Sequence, residues 1–114
     1  MARPAVAVRV TILRWVSDDP WPGLVECQLA DRDGRVWRFV EKGPVVSDQS
    51  LGAESKYPQP GVIACQIIGR SRDASGRETA EIDTEAHWHV ESVDSVTRFE
   101  VFADQLVAPG GAKY

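Results

Sequence analysis

The sequence reads Pro22-Gly23-Leu24-Val25-Glu26-Cys27-Gln28-Leu29 over a stretch that recurs, 38 residues later, as Pro60-Gly61-Val62-Ile63-Ala64-Cys65-Gln66-Ile67. Four of the eight positions are identical, and three more exchange one apolar residue for another. A polar turn that ends in Gly-Arg follows each copy. Because repeated segments define architecture, the pattern predicts two related loop–strand–turn–strand units, at 16–41 and 46–83. The alternative is chance similarity between two strands that meet the same packing demands.

Apolar residues alternate with polar ones on both sides of these turns, which predicts β-strands. The expected strands lie at 5–16, 24–30, 35–41, 61–69, 77–83 and 95–102. In the first, the apolar set changes register at Ile12-Leu13, which predicts a β-bulge. Val45-Val46 is interpreted as a further short strand, and 104–107 as one helical turn or an edge strand.

This series of short strands predicts an all-β fold: a small barrel or a sandwich of about six antiparallel strands, with two related β-hairpin units. A bulge and glycines at strand ends help a sheet to curl, which favours the barrel. With 114 residues, we expect a single domain over 1–114 that ends in a flexible tail at 108–114.

The two cysteines, Cys27 and Cys65, have apolar neighbours two residues away on either side, so both thiols are expected to face the core. Buried free cysteines are typical of reducing compartments. Because Arg9 and Arg14 interrupt the apolar start of the chain, no secretory signal is predicted. We therefore expect a cytoplasmic protein with no membrane partner. A core disulfide between the two cysteines is the alternative.

The net charge of −4 is unevenly distributed. Residues 78–104 hold eight acidic side chains and one arginine, a balance of −7. This segment would repel nucleic acid and attract a basic protein, although a solvated acidic face is the simpler interpretation. A weaker hypothesis is nucleic-acid binding by the arginines near the two turns, Arg32, Arg35, Arg38, Arg70, Arg72 and Arg77.

The chain contains no Gly-x-Ser-x-Gly motif and no glycine-rich phosphate loop. Cysteines that face a core are poor nucleophiles, because burial disfavours the thiolate. Acidic residues are abundant, but the sequence places no pair of them in a pocket. We therefore predict no catalytic residues, no cofactor and no enzymatic activity.

The segment 83–91 alternates ionisable and other residues. If it is extended, its ionisable side chains share one face, with Trp88 and Val90 packed inward. Imidazole and carboxylate groups are ligands for zinc or iron, so a metal site at His87, His89 and Glu91 is the alternative to a surface that binds no metal. Histidines beside carboxylates also titrate near neutral pH.

Trp21 and Tyr57 each precede a proline in the loop before a Pro-Gly pair. Exposed aromatic rings at such loops favour a protein-binding patch, since Trp and Tyr are enriched at binding hot spots. The alternative is that the rings fold back over the barrel. The preferred hypothesis is a non-catalytic protein-binding module, such as an immunity or antidote protein for a basic partner. Its predicted contact residues are Trp21, Tyr57, Glu85, His87, His89 and Glu91. The rival is a metal- or small-ligand-binding barrel that uses His87 and His89.

Overall fold

The computed structural model describes residues 6–108, and within them seven antiparallel strands form one continuous sheet. The strands are β1 (Val6–Ser17), β2 (Leu24–Ala30), β3 (Val36–Lys42), β4 (Gln59–Arg72), β5 (Glu78–Asp83), β6 (Arg98–Phe102) and β7 (Leu106–Val107). Their order across the sheet is β3-β2-β1-β4-β5-β6, and β7 pairs with the first residues of β1. The predicted tail lies outside the described residues, except for Ala108.

The sheet curls into a half-barrel because its outer strands, β3 and β6, approach each other. The Phe99 ring on β6 lies edge-on to Trp37 and Phe39 on β3, at centroid distances of 5.3 and 5.6 Å. The Arg32 backbone N–H donates to the Glu100 carbonyl at 2.8 Å across the same gap. The prediction of a small barrel-like all-β fold is confirmed, with one curled sheet in place of two stacked ones.

The core lies inside this curl and contains the residues that the alternation pattern pointed inward. Cys27 and Cys65 are both fully buried and free, so the alternative of a core disulfide is wrong. Burial raises the pKa of each thiol to about 12, which keeps both protonated at neutral pH. Neither cysteine is suited to nucleophilic chemistry.

The predicted bulge is confirmed at Leu13, which the register passes over between the pairs Ile12↔Cys27 and Arg14↔Glu26. A second register shift follows between Trp15 and Ser17. These shifts bring the Trp15 ring over Gly23, so that a Cβ on Gly23 would lie 2.1 Å from the ring.

Three local predictions are wrong. Val45-Val46 is the end of a short helix, α1 (Gly43–Val46), because Pro44 has no N–H to extend the strand ladder. The last long strand begins at Arg98, since the carbonyl of Ser92 accepts from the Ser95 N–H in a turn before it. The segment 83–91 is not extended: it contains the short helix α2 (Glu85–Trp88). Residues 104–107 combine both options, a 3₁₀ turn (Ala103–Gln105) followed by β7.

The two hairpins, β2–β3 and β4–β5, have the same turn geometry. The Asp31 carboxylate accepts from the backbone N–H groups of Asp33 and Arg35, at 2.9 and 3.0 Å. The Asp73 carboxylate accepts from the corresponding N–H groups, two and four residues on, at the same distances. Each turn closes through a glycine with positive φ, 81° at Gly34 and 88° at Gly76. Their common origin by duplication stays a prediction.

Candidate binding groove

Helix α2 lies in a short segment that projects from the barrel and is anchored at both ends by core residues. Thr84 and Val90 are fully buried, and the Thr84 hydroxyl donates to the Val90 carbonyl at 2.7 Å. The Asp83 carboxylate accepts from the Glu85 N–H at 2.9 Å, which starts the helical turn. His89, with φ at 56°, ends it. These contacts fix the position of α2 against β4.

Helix α1 forms a second projection, which also packs against β4. Val46 is fully buried, and its carbonyl oxygen lies 2.8 Å from the place where a Cβ on Gly61 would be. Only glycine allows α1 to come this close to the strand. The Gly43 N–H donates to the Gly23 carbonyl at 3.3 Å, which ties α1 to the β1–β2 loop.

Between the two helices, small residues form the floor of an open groove of about 1000 Å³, here called the α1–α2 groove. Ala64 on β4 pairs with Ala7 on β1, and Val107 on β7 pairs with Ala7 from the other side. Because these side chains are short, the floor is low compared with its walls. The main apolar lining residues are Ala7, Pro44, Val45, Val62, Ala64, Trp88 and Val107.

The polar residues that line the groove are Arg9, Ser47, Asp48, Gln49, Gln59 and His87. Asp48 lies beside α1, and His87 lies on α2. Arg9 also lines the groove, and its guanidinium donates to the Asp104 carbonyl at 3.0 Å. The His87 ring packs edge-on to Trp88 at 4.9 Å, while the Trp88 side chain stays 55% exposed. A large exposed ring above an apolar floor is suited to holding apolar groups.

The structure separates the predicted contact residues. His87 lines the groove, whereas His89 is exposed in a left-handed conformation beyond the helix. Trp88 does not pack inward as expected, because α2 replaces the extended backbone that would direct it there. Among residues 6–108, no group of three or more His, Cys, Asp or Glu side chains is placed to hold a metal ion.

Glu85, at the start of α2, and Glu91, just after Val90, are both exposed. Glu91 lies near Glu41 on β3, and burial together with this neighbouring charge raises the pKa of Glu41. Trp21 is 85% exposed at the tip of the β1–β2 loop. Tyr57 instead packs against the core, and its hydroxyl donates to the Gly52 carbonyl at 2.8 Å. Because Trp21 is exposed and Tyr57 packs against the core, the two side chains do not form a single exposed aromatic patch.

Ion pairs with arginines outside the segment neutralise part of the negative charge of residues 78–104. Arginines from the first two-thirds of the chain form ion pairs with Glu78, Glu100 and Asp104. Within the described part of the chain, the remaining five acids have no ion pair; these are Glu81, Asp83, Glu85, Glu91 and Asp94. Asp83 and Glu85 lie at the start of α2, outside the residues that line the groove.

The arginines near the turns are largely occupied. Four of the six residues considered above are paired with carboxylates; these are Arg32, Arg38, Arg72 and Arg77. Arg35 lies over the Trp37 ring at 3.9 Å. Nucleic-acid binding by these arginines stays a prediction.

The sequence interpretation missed the groove because its floor has no chemical signature. Ala64 and Val62 occur in a strand and look like ordinary strand residues. One signal was present: Ala64 stands where the first unit has Glu26, so the second unit has a small residue at an outward position. That contrast pointed to a depression in the outer surface.

Comparisons of the chain with protein-family models, with curated proteins and with solved structures gave no match. In the described part of the chain, none of the helices has the length and apolar character needed to cross a membrane.

Proposed function

We propose that this chain is a non-catalytic binding module that holds an apolar segment of a partner protein in the α1–α2 groove. The observation that supports this proposal is the exposed Trp88 beside a floor of small apolar residues. Tryptophan is enriched among binding hot spots, and a partner segment in the groove would bury the exposed ring. The groove is open to solvent, which suits a segment of a longer chain.

The charge around the groove favours a basic partner. Asp48 lines the groove on the α1 side, while Asp83 and Glu85 lie at the start of α2 without ion pairs in the described region. Arg9, the cation in the lining, donates to the Asp104 carbonyl. Lysine or arginine residues that flank an apolar segment would meet these carboxylates. An immunity or antidote protein that blocks a basic toxin is one form of this function. The two free cysteines support a cytoplasmic location for it.

Selection from a displayed library of random peptides tests the proposal. We expect immobilised wild-type protein to enrich peptides with apolar residues flanked by Lys or Arg. The Ala64→Trp variant fills the groove and should lose these peptides. Ala74→Trp is the matched control, because Ala74 is exposed in the β4–β5 turn, outside the groove. Peptides that bind Ala64→Trp as well as the wild type would contradict the proposal.

A second candidate is a small ligand, favoured by the groove volume, which is at the upper end of small-molecule sites. Of the two histidines, only His87 lines the groove, so this ligand would meet one imidazole and the Trp88 ring. A thermal-shift screen of small aromatic compounds tests this candidate, because a ligand that binds the folded state raises the unfolding temperature. A compound that stabilises the wild type and Ala74→Trp but not Ala64→Trp would favour it, and a screen without such a compound would count against it.

A further inference from the structure

A buried carboxylate holds two arginines in place on the outer surface of the first three strands. Glu26 accepts from Arg14 Nε at 2.7 Å with one oxygen and from an Arg38 guanidinium N–H with the other. Its side chain is only 11% exposed, whereas those of Arg14 and Arg38 are 62% and 53% exposed. Each guanidinium therefore keeps further N–H groups directed to solvent. The cluster carries one net positive charge.

Exposed valines stand beside this cluster. Val40 pairs with Glu26, and Val36 lies two residues before Arg38, so both are on the same outer side of β3. Neither belongs to the core. We refer to Arg14, Glu26, Val36, Arg38 and Val40 as the β1–β3 face. It combines apolar side chains with fixed cations, a composition typical of binding surfaces.

The outer surface of strands β5 and β6 has an excess of negative charge, which is complementary to the β1–β3 face. Glu81 on β5 and Glu100 on β6 are directly opposite each other in the register, which is unfavourable for like charges. Arg32 reaches Glu100 at 3.5 Å, but in residues 6–108 no arginine or lysine pairs with Glu81. Arg98 is the one cation on the outer side of β6. We refer to Glu81, Arg98 and Glu100 as the β5–β6 face.

We propose that the β1–β3 face binds the β5–β6 face of a second copy of this chain, so that molecules associate head to tail. The spare N–H groups of Arg14 and Arg38 would donate to Glu81 and Glu100 of the second copy. This contact relieves the repulsion between the two glutamates and covers the exposed valines. Both faces are exposed on the outer surface of the curled sheet, so one copy cannot lay one face on the other.

Sedimentation velocity on the full chain tests the proposal. Because each face is small, we expect a weak association with a Kd on the order of 100 μM. In about 1 M salt, where screening is nearly complete, the association should weaken at least tenfold. Arg38→Glu on one face and Glu81→Arg on the other should each abolish it. Val36→Glu leaves the ion pairs intact and should have the same effect.

A mixture of two variants gives the decisive result. Arg38→Glu keeps an intact β5–β6 face, and Glu81→Arg keeps an intact β1–β3 face. Together they should associate, although each is monomeric alone, because the intact faces pair with each other and the two charge reversals also complement each other. Circular dichroism checks that each variant is folded. A wild-type chain that stays monomeric at millimolar concentration, or a mixture that stays monomeric, would overturn the proposal. Ala64→Trp should associate like the wild type, which separates this contact from the groove.

Discussion

The two strand–turn–strand units differ on their outer surfaces and agree on their inner ones. At an offset of 38 residues, Val25 corresponds to Ile63 and Cys27 to Cys65, and all four are fully buried. These positions face one shared core, so the same packing demands act on both units. The inner surface therefore explains why the two segments resemble each other.

The outer positions follow a different rule. Glu26 in the first unit is covered by two arginines, whereas Ala64 in the second lies at the floor of the α1–α2 groove. One surface is closed by ion pairs and the other is left open between two helices. Core positions here specify the fold, and the groove that we propose as the binding surface lies where the second unit departs from the first.

The largest expected effect on stability concerns Gly23 and Gly61, which occupy corresponding positions in the two units. In Gly23→Ala, the new Cβ meets the Trp15 ring at 2.1 Å, and φ is +114°. We expect a loss of about 3 kcal/mol in the free energy of unfolding, from overpacking together with backbone strain. In Gly61→Ala, the Cβ meets Ile12 and the Val46 carbonyl at 2.7–2.8 Å without positive φ, so the loss should be about 2 kcal/mol.

Urea denaturation measures both values. Gly52→Ala is the matched control, since its Cβ would meet nothing closer than Glu54 at 3.7 Å. This control should change the free energy of unfolding by less than about 0.5 kcal/mol. If Gly61→Ala is as stable as the wild type, α1 does not depend on the close approach at β4.

The local features of the fold could be predicted from the sequence, whereas the groove could not. The turns, the bulge at Leu13 and the inward cysteines all follow from local alternation and turn chemistry, which adjacent residues determine. The α1–α2 groove does not, because it requires α1 and α2 to meet the same strand from sites about 40 residues apart. Trp88 was expected to face inward, and only the helical turn held by Thr84 and Val90 directs it outward.

The ion pairs of the first unit give the second prediction. Hydrogen bonds from Arg38 and Arg14 outweigh the effect of burial and lower the pKa of Glu26. Its contribution to stability is therefore present above the usual carboxyl pKa, about 4.3, and is lost as the pH falls through the lowered pKa. Glu26→Gln should cost about 1 kcal/mol at pH 7, since both arginines are more than half exposed. Urea denaturation at pH 7 and below pH 3 checks it, and an equal cost at both would contradict it.

The smallest expected effect concerns the carboxylate near the end of the first hairpin. Burial and the nearby Glu91 raise the pKa of Glu41, so the fold favours its protonated form. The stability it contributes is present below its usual pKa and is lost as the pH rises through the raised pKa. Glu41→Gln should stabilise the protein by about 0.5 kcal/mol at pH 7 and by nothing at pH 3. Thermal unfolding across this range measures the difference, and destabilisation at pH 7 would exclude the interpretation.

The α1–α2 groove, on the outer surface of the second unit, is the proposed binding site. Isothermal titration calorimetry with a library-selected peptide tests this proposal most directly. The wild type and Ala74→Trp should bind the peptide with the same affinity. Ala64→Trp should bind it at least tenfold more weakly, while its unfolding midpoint in urea stays close to that of the wild type. Equal affinity for all three proteins would show that the α1–α2 groove is not the binding site.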